Sequence, residues 1–237
     1  MHSEIENAKR LVAQRAVDTY VRDGTCIGLG TGTTARFAVE RTGERIRDGM
    51  TLRAVATSHE TERLCREHGV PLVPFGDEPI DVAIDGADEV AADWSLTKGA
   101  GGALFREKAI ALAARTFVVI VTRAKCVEHL GSFPLPVEVV PFSTAYVGRE
   151  IEALGAPVAL RRGGEGRAFA SDNGNAILDC RFGTIAAPGL LDRILRDIHG
   201  VVATGLFIGL VSAVLVGDDD GTVAELGTPV PAFNARA

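Results

Sequence analysis

The chain has 237 residues, 46% of them apolar, and a formal net charge of −6. That length accommodates one domain with an insertion or two small ones, and the apolar content excludes wholesale disorder. The basic residues form no long run, which disfavours a nucleic-acid partner; an anionic ligand needs lysines, arginines and backbone N–H groups gathered locally.

Residues 5–21 place Leu11, Val12, Ala16 and Tyr20 at helical spacing. "TCIGLGTG" (25–32) predicts a short apolar strand ending in glycines, followed by a helix from about Thr34 to Glu44. "LRAVATS" (52–58) is the next strand, and "ETERLCREHG" (60–69) is a helix closed by Gly69. "VPLVPF" (70–75) and "DVAID" (81–85) are two more expected strands, "ALFREKAIALAAR" (103–115) a helix and "TFVVIVT" (116–122) a β-branched strand. This alternation argues for a parallel sheet with helices on both faces.

The rhythm changes near Gly131. "FPLPVEVVP" (133–141) carries three prolines, which predicts a boundary or an edge strand. A helix (about 144–154), a strand (158–161), a turn-rich segment, a strand (175–180) and a helix (190–197) follow as a small α+β unit. "VVATGLFIGLVSAVLV" (201–216) is the most apolar stretch. It is shorter than the ~18 residues of a membrane span and contains two glycines, so it reads as buried strand near a turn. "GDDDG" (217–221) reads as a solvated hairpin.

Cys26, Cys65, Cys126 and Cys180 lie far apart with no C-x-x-C pair, so buried reduced thiols are expected rather than a disulfide framework or zinc site. The polar start "MHSEIENAKR", with two glutamates, argues against a signal peptide.

"GLGTGTT" (28–34) sits where a strand gives way to a helix. It lacks the G-x-G-x-x-G spacing of a dinucleotide fingerprint, and no G-K-[ST] follows. A phosphate loop without a lysine and a tight turn needing glycine for steric reasons both remain open. In the first, backbone N–H groups, the helix N-terminus and the hydroxyls of Thr31, Thr33 and Thr34 receive the anion.

"IDGADE" puts Asp85 at the end of a strand expected to be central, where open parallel sheets gather ligands. Asp85, Asp88 and Glu89 offer hard-metal ligands, but their spacing is not that of a calcium loop and a nearby lysine competes, so no metal is expected. In "TKGAGGALFREK" (97–108), Lys98 precedes a loop with glycines at 99, 101 and 102, and Glu107 falls one turn into the next helix. A carboxylate near a helix start and a ring of backbone donors suit enolisation, which needs a base and donors aimed at the oxygen that gains charge. The plainer alternative makes Arg106, Glu107 and Lys108 a solvated helix face.

Six segments in order, "GLGTGTTA" (28–35), "DGADEV" (85–90), "KGAGGALFREK" (98–108), "FPLPVEVVP" (133–141), "DNGNAILD" (172–179) and "GVVATGLF" (200–207), together resemble the type A ribose-5-phosphate isomerases. The resemblance implies interconversion of ribose 5-phosphate and ribulose 5-phosphate without a cofactor. It places Glu107 at the general base, Asp85 and Asp88 at the active-site aspartates and Lys98 at the active-site lysine. Thr31, Gly32, Thr33, Thr34, Gly86, Ala87, Gly99, Ala100, Gly101 and Lys125 fall at substrate-contacting positions, with Lys9 or Arg10 helping at the phosphate.

The implied fold is a Rossmann-like, mostly parallel sheet domain (1–130 and 207–237) with an inserted smaller α+β, ferredoxin-like domain (131–206). A cytoplasmic homodimer or homotetramer is implied, with a sugar phosphate as partner and neither nucleic acid nor membrane. Thr33 stands where serine is common, Ala100 where glycine or arginine is usual, Gly102 where alanine is usual, and Thr97 replaces an apolar residue.

Two rival readings stand beside this: a sugar-phosphate sensor, which would carry a helix-turn-helix domain, and a coenzyme A transferase, whose glutamate would be a nucleophile. Among the histidines, His59 is the best placed for proton transfer because it follows Thr57 and Ser58.

Overall fold

The computed structural model describes residues 2–227. In chain order its first elements are α1 (His2–Tyr20), β1 (Cys26–Leu29), α2 (Ala35–Arg47), β2 (Arg53–Ala56), α3 (His59–Glu67), β3 (Ile80–Asp85), β4 (Glu89–Val90), β5 (Leu96–Thr97), α4 (Leu104–Ala113) and β6 (Ala114–Thr122). There follow β7 (Leu135–Val139), α5 (Thr144–Ala153), β8 (Val158–Leu160), β9 (Ala176–Cys180), α6 (Pro188–Asp197), β10 (Val201–Thr204), β11 (Leu206–Phe207), β12 (Ala213–Gly217) and β13 (Val223–Glu225). They form two compact units, one made of 2–87, 106–126 and 210–227, the other of 88–105 and 127–209.

The first unit is built on a six-stranded sheet in the order β13-β12-β6-β3-β1-β2. All neighbours are parallel except the β12–β13 hairpin. Covered on both faces, its strands read as unbroken apolar runs rather than alternating ones: β1 and β12 are buried throughout. One layer of core joins Val12, Ala13, Ala16 and Val17 of α1 and Phe37, Ala38 and Val39 of α2 to Ile27, Leu29, Ile84, Val118, Ile120 and Leu215 of the sheet. The helical spacing of apolar residues in α1 therefore marks the face that packs.

Residues 70–75 do not form the expected strand. Leu72 makes only an isolated parallel bridge to Ala54, with Ala54 N–H on the Pro71 carbonyl and Val73 N–H on the Ala54 carbonyl. Pro71 and Pro74 have no N–H to extend the ladder.

The second unit carries a β-α-β-β-α-β run whose sheet, in the order β10-β7-β9-β8, is antiparallel throughout. This is the ferredoxin-like arrangement. Its core gathers Leu135, Val137 and Val139 of β7, Leu178 and Cys180 of β9, Val147 and Ile151 of α5 and Leu195 of α6.

Of the two readings of the proline-rich segment, boundary or edge strand, the second does not hold: β7 is central, although it follows closely on the change of unit at 126/127. Pro136 sits where β10 has ended at Thr204, and only its carbonyl is used, by Gly205 N–H at 2.7 Å. The missing N–H therefore falls beyond the ladder and costs no pairing.

A three-stranded antiparallel sheet, β11-β5-β4, belongs to the same unit. It takes residues 88–105 away from the larger sheet and out of the 1–130 segment expected for that domain. Two-residue strands carry no periodicity, so this pairing with Leu206 and Phe207 leaves no local signal.

Among the described residues no helix is long and apolar enough to cross a membrane. All four cysteines are free; Cys26, Cys65 and Cys180 are buried and Cys126 is half-buried.

Candidate active site

In the first unit the strand order β2-β1-β3-β6-β12 reverses direction between β1 and β3, the topological switch point at which doubly wound sheets place ligands beyond the strand carboxyl ends. Two candidate pieces meet there. Asp85 is the last residue of β3 and is 3% exposed. Its Oδ1 accepts the N–H groups of Gly86 at 2.7 Å and of Thr31 at 3.2 Å, which ties the loop after β1 to the end of β3. Gly30 is required by this approach: a Cβ there would lie 2.0 Å from Asp85 Oδ1.

Thr31 is spent on the scaffold. Its hydroxyl meets those of Thr57 and Ser58 at 2.7 Å and Thr61 at 3.1 Å, while Thr61 Oγ1 donates to the Gly30 carbonyl at 2.8 Å. Ser58 also caps α3, accepting Thr61 N–H at 3.0 Å. Each such bond contributes about 0.5–1.5 kcal/mol, and together they fix the loop from its buried side.

Gly32 and Thr33 are exposed and Thr34 half-buried, and Thr34 leads into α2. Among the described residues no protein partner takes the amides of Gly32, Thr33, Thr34 or Ala35. Open donors at the start of a helix, where the dipole is positive, make an anion cradle.

Lys125 is exposed in the short helical turn after β6, the neighbour of β3. In α1 Lys9 pairs with Glu6 at 2.8 Å, and Glu6 also takes Arg36 of α2. The hydrogen bond from Lys9, followed by that from Arg36, holds the Glu6 carboxyl below the usual carboxylate range. Arg10 instead lies over the Phe37 ring, 4.8 Å from its centre. Glu107, in the first turns of α4, is 6% exposed, an uncommon setting for a carboxylate and inconsistent with a solvated helix face. His59 opens α3.

The second unit holds Asp88 and the Lys98–Gly102 loop. Lys98 is 3% exposed, its ammonium 5.5 Å from the centre of the Phe207 ring and its N–H on the Gly205 carbonyl. Asp88 Oδ2 accepts Ala100 N–H at 2.9 Å. Ala100 and Gly101 are exposed, whereas Gly99 and Gly102 are buried. Gly102 has φ +81°, and a Cβ there would stand 2.4 Å from the Phe169 ring. Glycine at this position thus makes room for Phe169. Glu89, a candidate hard-metal ligand by sequence, has both oxygens occupied by the amides of Gly131 and Phe133, each at 2.9 Å.

Sequence reasoning missed the groups that hold these loops. The N-cap pattern beginning at Ser58 was the one available sign of the hydroxyl cluster. Arg161, which donates to the Gly99 carbonyl, is one of two adjacent arginines and carries no local mark distinguishing it from Arg162.

Comparison with known proteins agrees with this geometry. Residues 53–221 match the family model described as ribose 5-phosphate isomerase A (phosphoriboisomerase A). A ribose-5-phosphate isomerase A of Gloeobacter violaceus is 46% identical over 229 residues, covering 95% of this chain and 98% of its own. The solved ribose 5-phosphate isomerase A of Methanocaldococcus jannaschii superposes with a TM-score of 0.89 at 40% identity, covering 93% of this chain and 98% of its own. A D-ribose-5-phosphate isomerase in complex with phospho-erythronic acid gives 0.90 at 35% identity, covering 94% and 98%.

Proposed function

The chain belongs to the ribose 5-phosphate isomerase A family and is an aldose–ketose isomerase for ribose 5-phosphate; from that premise we propose how its residues divide the work. The phosphate of the open-chain aldose binds the open amides of Gly32 to Ala35, the hydroxyls of Thr33 and Thr34, and Lys125. Lys9 or Arg10 of α1 assists there; Lys9 is paired with Glu6 and Arg10 lies over Phe37. Thr31 contributes by fixing the loop, since its amide and hydroxyl are both occupied.

Glu107 is the general base. It takes the proton from C2 as the C1 carbonyl electrons move onto O1, giving an enediolate. Backbone donors of the Lys98–Gly102 loop stabilise that oxygen. The C2 hydroxyl then gives up its proton as O1 gains one, and protonated Glu107 delivers its proton to C1, forming ribulose 5-phosphate. Asp85, Asp88 and Lys98 serve the O1–O2 proton transfer, with Gly86, Ala87, Gly99, Ala100 and Gly101 lining the sugar. The net change is two proton shifts within one molecule, from C2 to C1 and from O2 to O1, so the reading calls for no cofactor and no metal. It also carries a cytoplasmic homodimer or homotetramer working in the non-oxidative pentose phosphate pathway.

The observation that supports this reading best is the switch-point arrangement: a fixed Asp85 carboxylate beside an open row of amides at the start of α2. Glu107→Gln tests it, because the amide keeps the shape but accepts no proton from carbon. Turnover and solvent-deuterium incorporation into recovered sugar should both fall by about 10²–10⁴-fold with the fold intact. A folded variant within a few-fold of the parent rate would remove Glu107 as the base and leave Asp85 or Asp88 in its place.

A further inference from the structure

Arg161 follows β8 in the second unit, and its side chain is 12% exposed. One edge of its guanidinium grips Asp179 of β9, with Nε on Oδ2 at 3.0 Å and the second nitrogen on Oδ1. The remaining nitrogen donates to two consecutive carbonyls, Gly99 at 2.7 Å and Ala100 at 3.1 Å. The Phe169 ring lies 5.9 Å from the guanidinium carbon. A bidentate carboxylate on one side leaves the guanidinium little freedom, so its donors toward the loop are fixed in direction.

The consequence follows from peptide geometry. In a planar trans peptide the C=O and the following N–H point in opposite directions. Holding the Gly99 carbonyl orients the Ala100 N–H, and that N–H is the group on Asp88 Oδ2 at 2.9 Å. Holding the Ala100 carbonyl likewise orients the Gly101 N–H, which no protein group takes among the described residues. The cation also draws electron density toward the two oxygens, which strengthens both N–H donors. The chain of contacts runs Asp179, Arg161, two peptide planes, Asp88.

We propose that Arg161 is a positioning residue for the isomerisation. It orients the 99–101 peptides so that Ala100 N–H holds the Asp88 carboxylate and Gly101 N–H is presented to the sugar oxygen that gains charge. Asp179 locks Arg161 in that pose. Arg161 touches no substrate and acts only through the loop. The inference rests on the proposed part of Asp88 and this loop in the proton transfer.

The test compares Arg161→Gln, Arg161→Lys and Asp179→Asn with Glu107→Gln, using kcat, KM for ribose 5-phosphate and thermal unfolding. Arg161→Gln should lower kcat by about 10²-fold, the effect of an ångström-scale misplacement, with KM within about threefold because the phosphate loop is untouched. Arg161→Lys should recover part of the rate, since one ammonium cannot hold a bidentate carboxylate and two carbonyls together. A purely structural residue would shift the unfolding temperature without this split. If Arg161→Gln does not fold, Asp179→Asn decides, with an expected fall in kcat of about tenfold at unchanged KM. A folded Arg161→Gln or Asp179→Asn at the parent kcat, or a rise in KM alone, overturns the inference. Full activity in Glu107→Gln instead overturns the catalytic reading on which it stands, so the two failures are distinguishable.

Discussion

Two glycine-bearing loops, one in each compact unit, are held by opposite means. Residues 30–34 are fixed by acceptors and hydroxyls: Asp85 takes the Thr31 amide, and Thr57, Ser58 and Thr61 surround the Thr31 hydroxyl. Residues 98–102 are fixed by a cation, with Arg161 on the carbonyls of Gly99 and Ala100. A loop that must present amides has to be restrained by something other than those amides. The first gives up one donor, Thr31, and leaves the next four open. The second is gripped through its oxygens, so its amides are oriented without being consumed by the clamp.

In the roles proposed for them, the two solutions suit different charges. A phosphate is equally charged in ground and transition states, so its contacts give mostly uniform binding. Charge on the sugar oxygen exists only near the transition state, so donors there act on kcat.

The comparison breaks most visibly at Gly30. Gly30→Ala would force a methyl to within 2.0 Å of Asp85 Oδ1, moving the Asp85 carboxylate and the loop together. Turnover should fall by about 10²-fold or more with KM also raised, measured by steady-state kinetics on folded protein.

Gly102→Ala probes the other loop by a different route, backbone strain and packing. With φ +81° and the Phe169 ring 2.4 Å from the new Cβ, the cost should be about 1–3 kcal/mol in urea unfolding. Adding Phe169→Leu should cost less than the sum of the single changes; strict additivity would disprove the clash.

Lys125→Ala sharpens the division of labour. It should raise KM by about ten- to a hundredfold and lower kcat much less, as expected for a charge-assisted phosphate contact of about 1.5–3 kcal/mol that is the same in both states. A collapsed kcat at unchanged KM would move Lys125 out of the phosphate role.

The smallest expected effects concern thiols away from both loops. Burial pushes Cys65 and Cys180 up to about 12, and raises Cys126 as well. Native alkylation at neutral pH should therefore mark half-buried Cys126 first and reach Cys65 and Cys180 only on unfolding. Because the two buried thiols are raised from 9.0 in the folded state, their stabilising contribution is complete below pH 9 and is lost as pH climbs toward 12. An unfolding midpoint that rises across that range would contradict their burial.

The amino-acid sequence by itself determined what is local. Apolar spacing in α1 marked the packed face, unbroken apolar runs marked the parallel strands, and Gly30 with Asp85 marked the ends of β1 and β3. It also marked Glu107 one turn after a glycine loop. These are properties of a few adjacent residues and survive without knowledge of neighbours.

Tertiary structure alone decided the rest. Whether Pro136 lies at an edge or in the centre depends on where β10 stops. Whether Thr31 presents or spends its hydroxyl depends on Thr57, Ser58 and Thr61 from the next strand and helix. Whether residues 88–105 join one unit or the other depends on pairing with Leu206 and Phe207. Arg161 reaches the Gly99 carbonyl across 62 positions of sequence. A hydrogen bond over that separation is specified by the closure of the whole sheet around it, and no window of local sequence contains both partners.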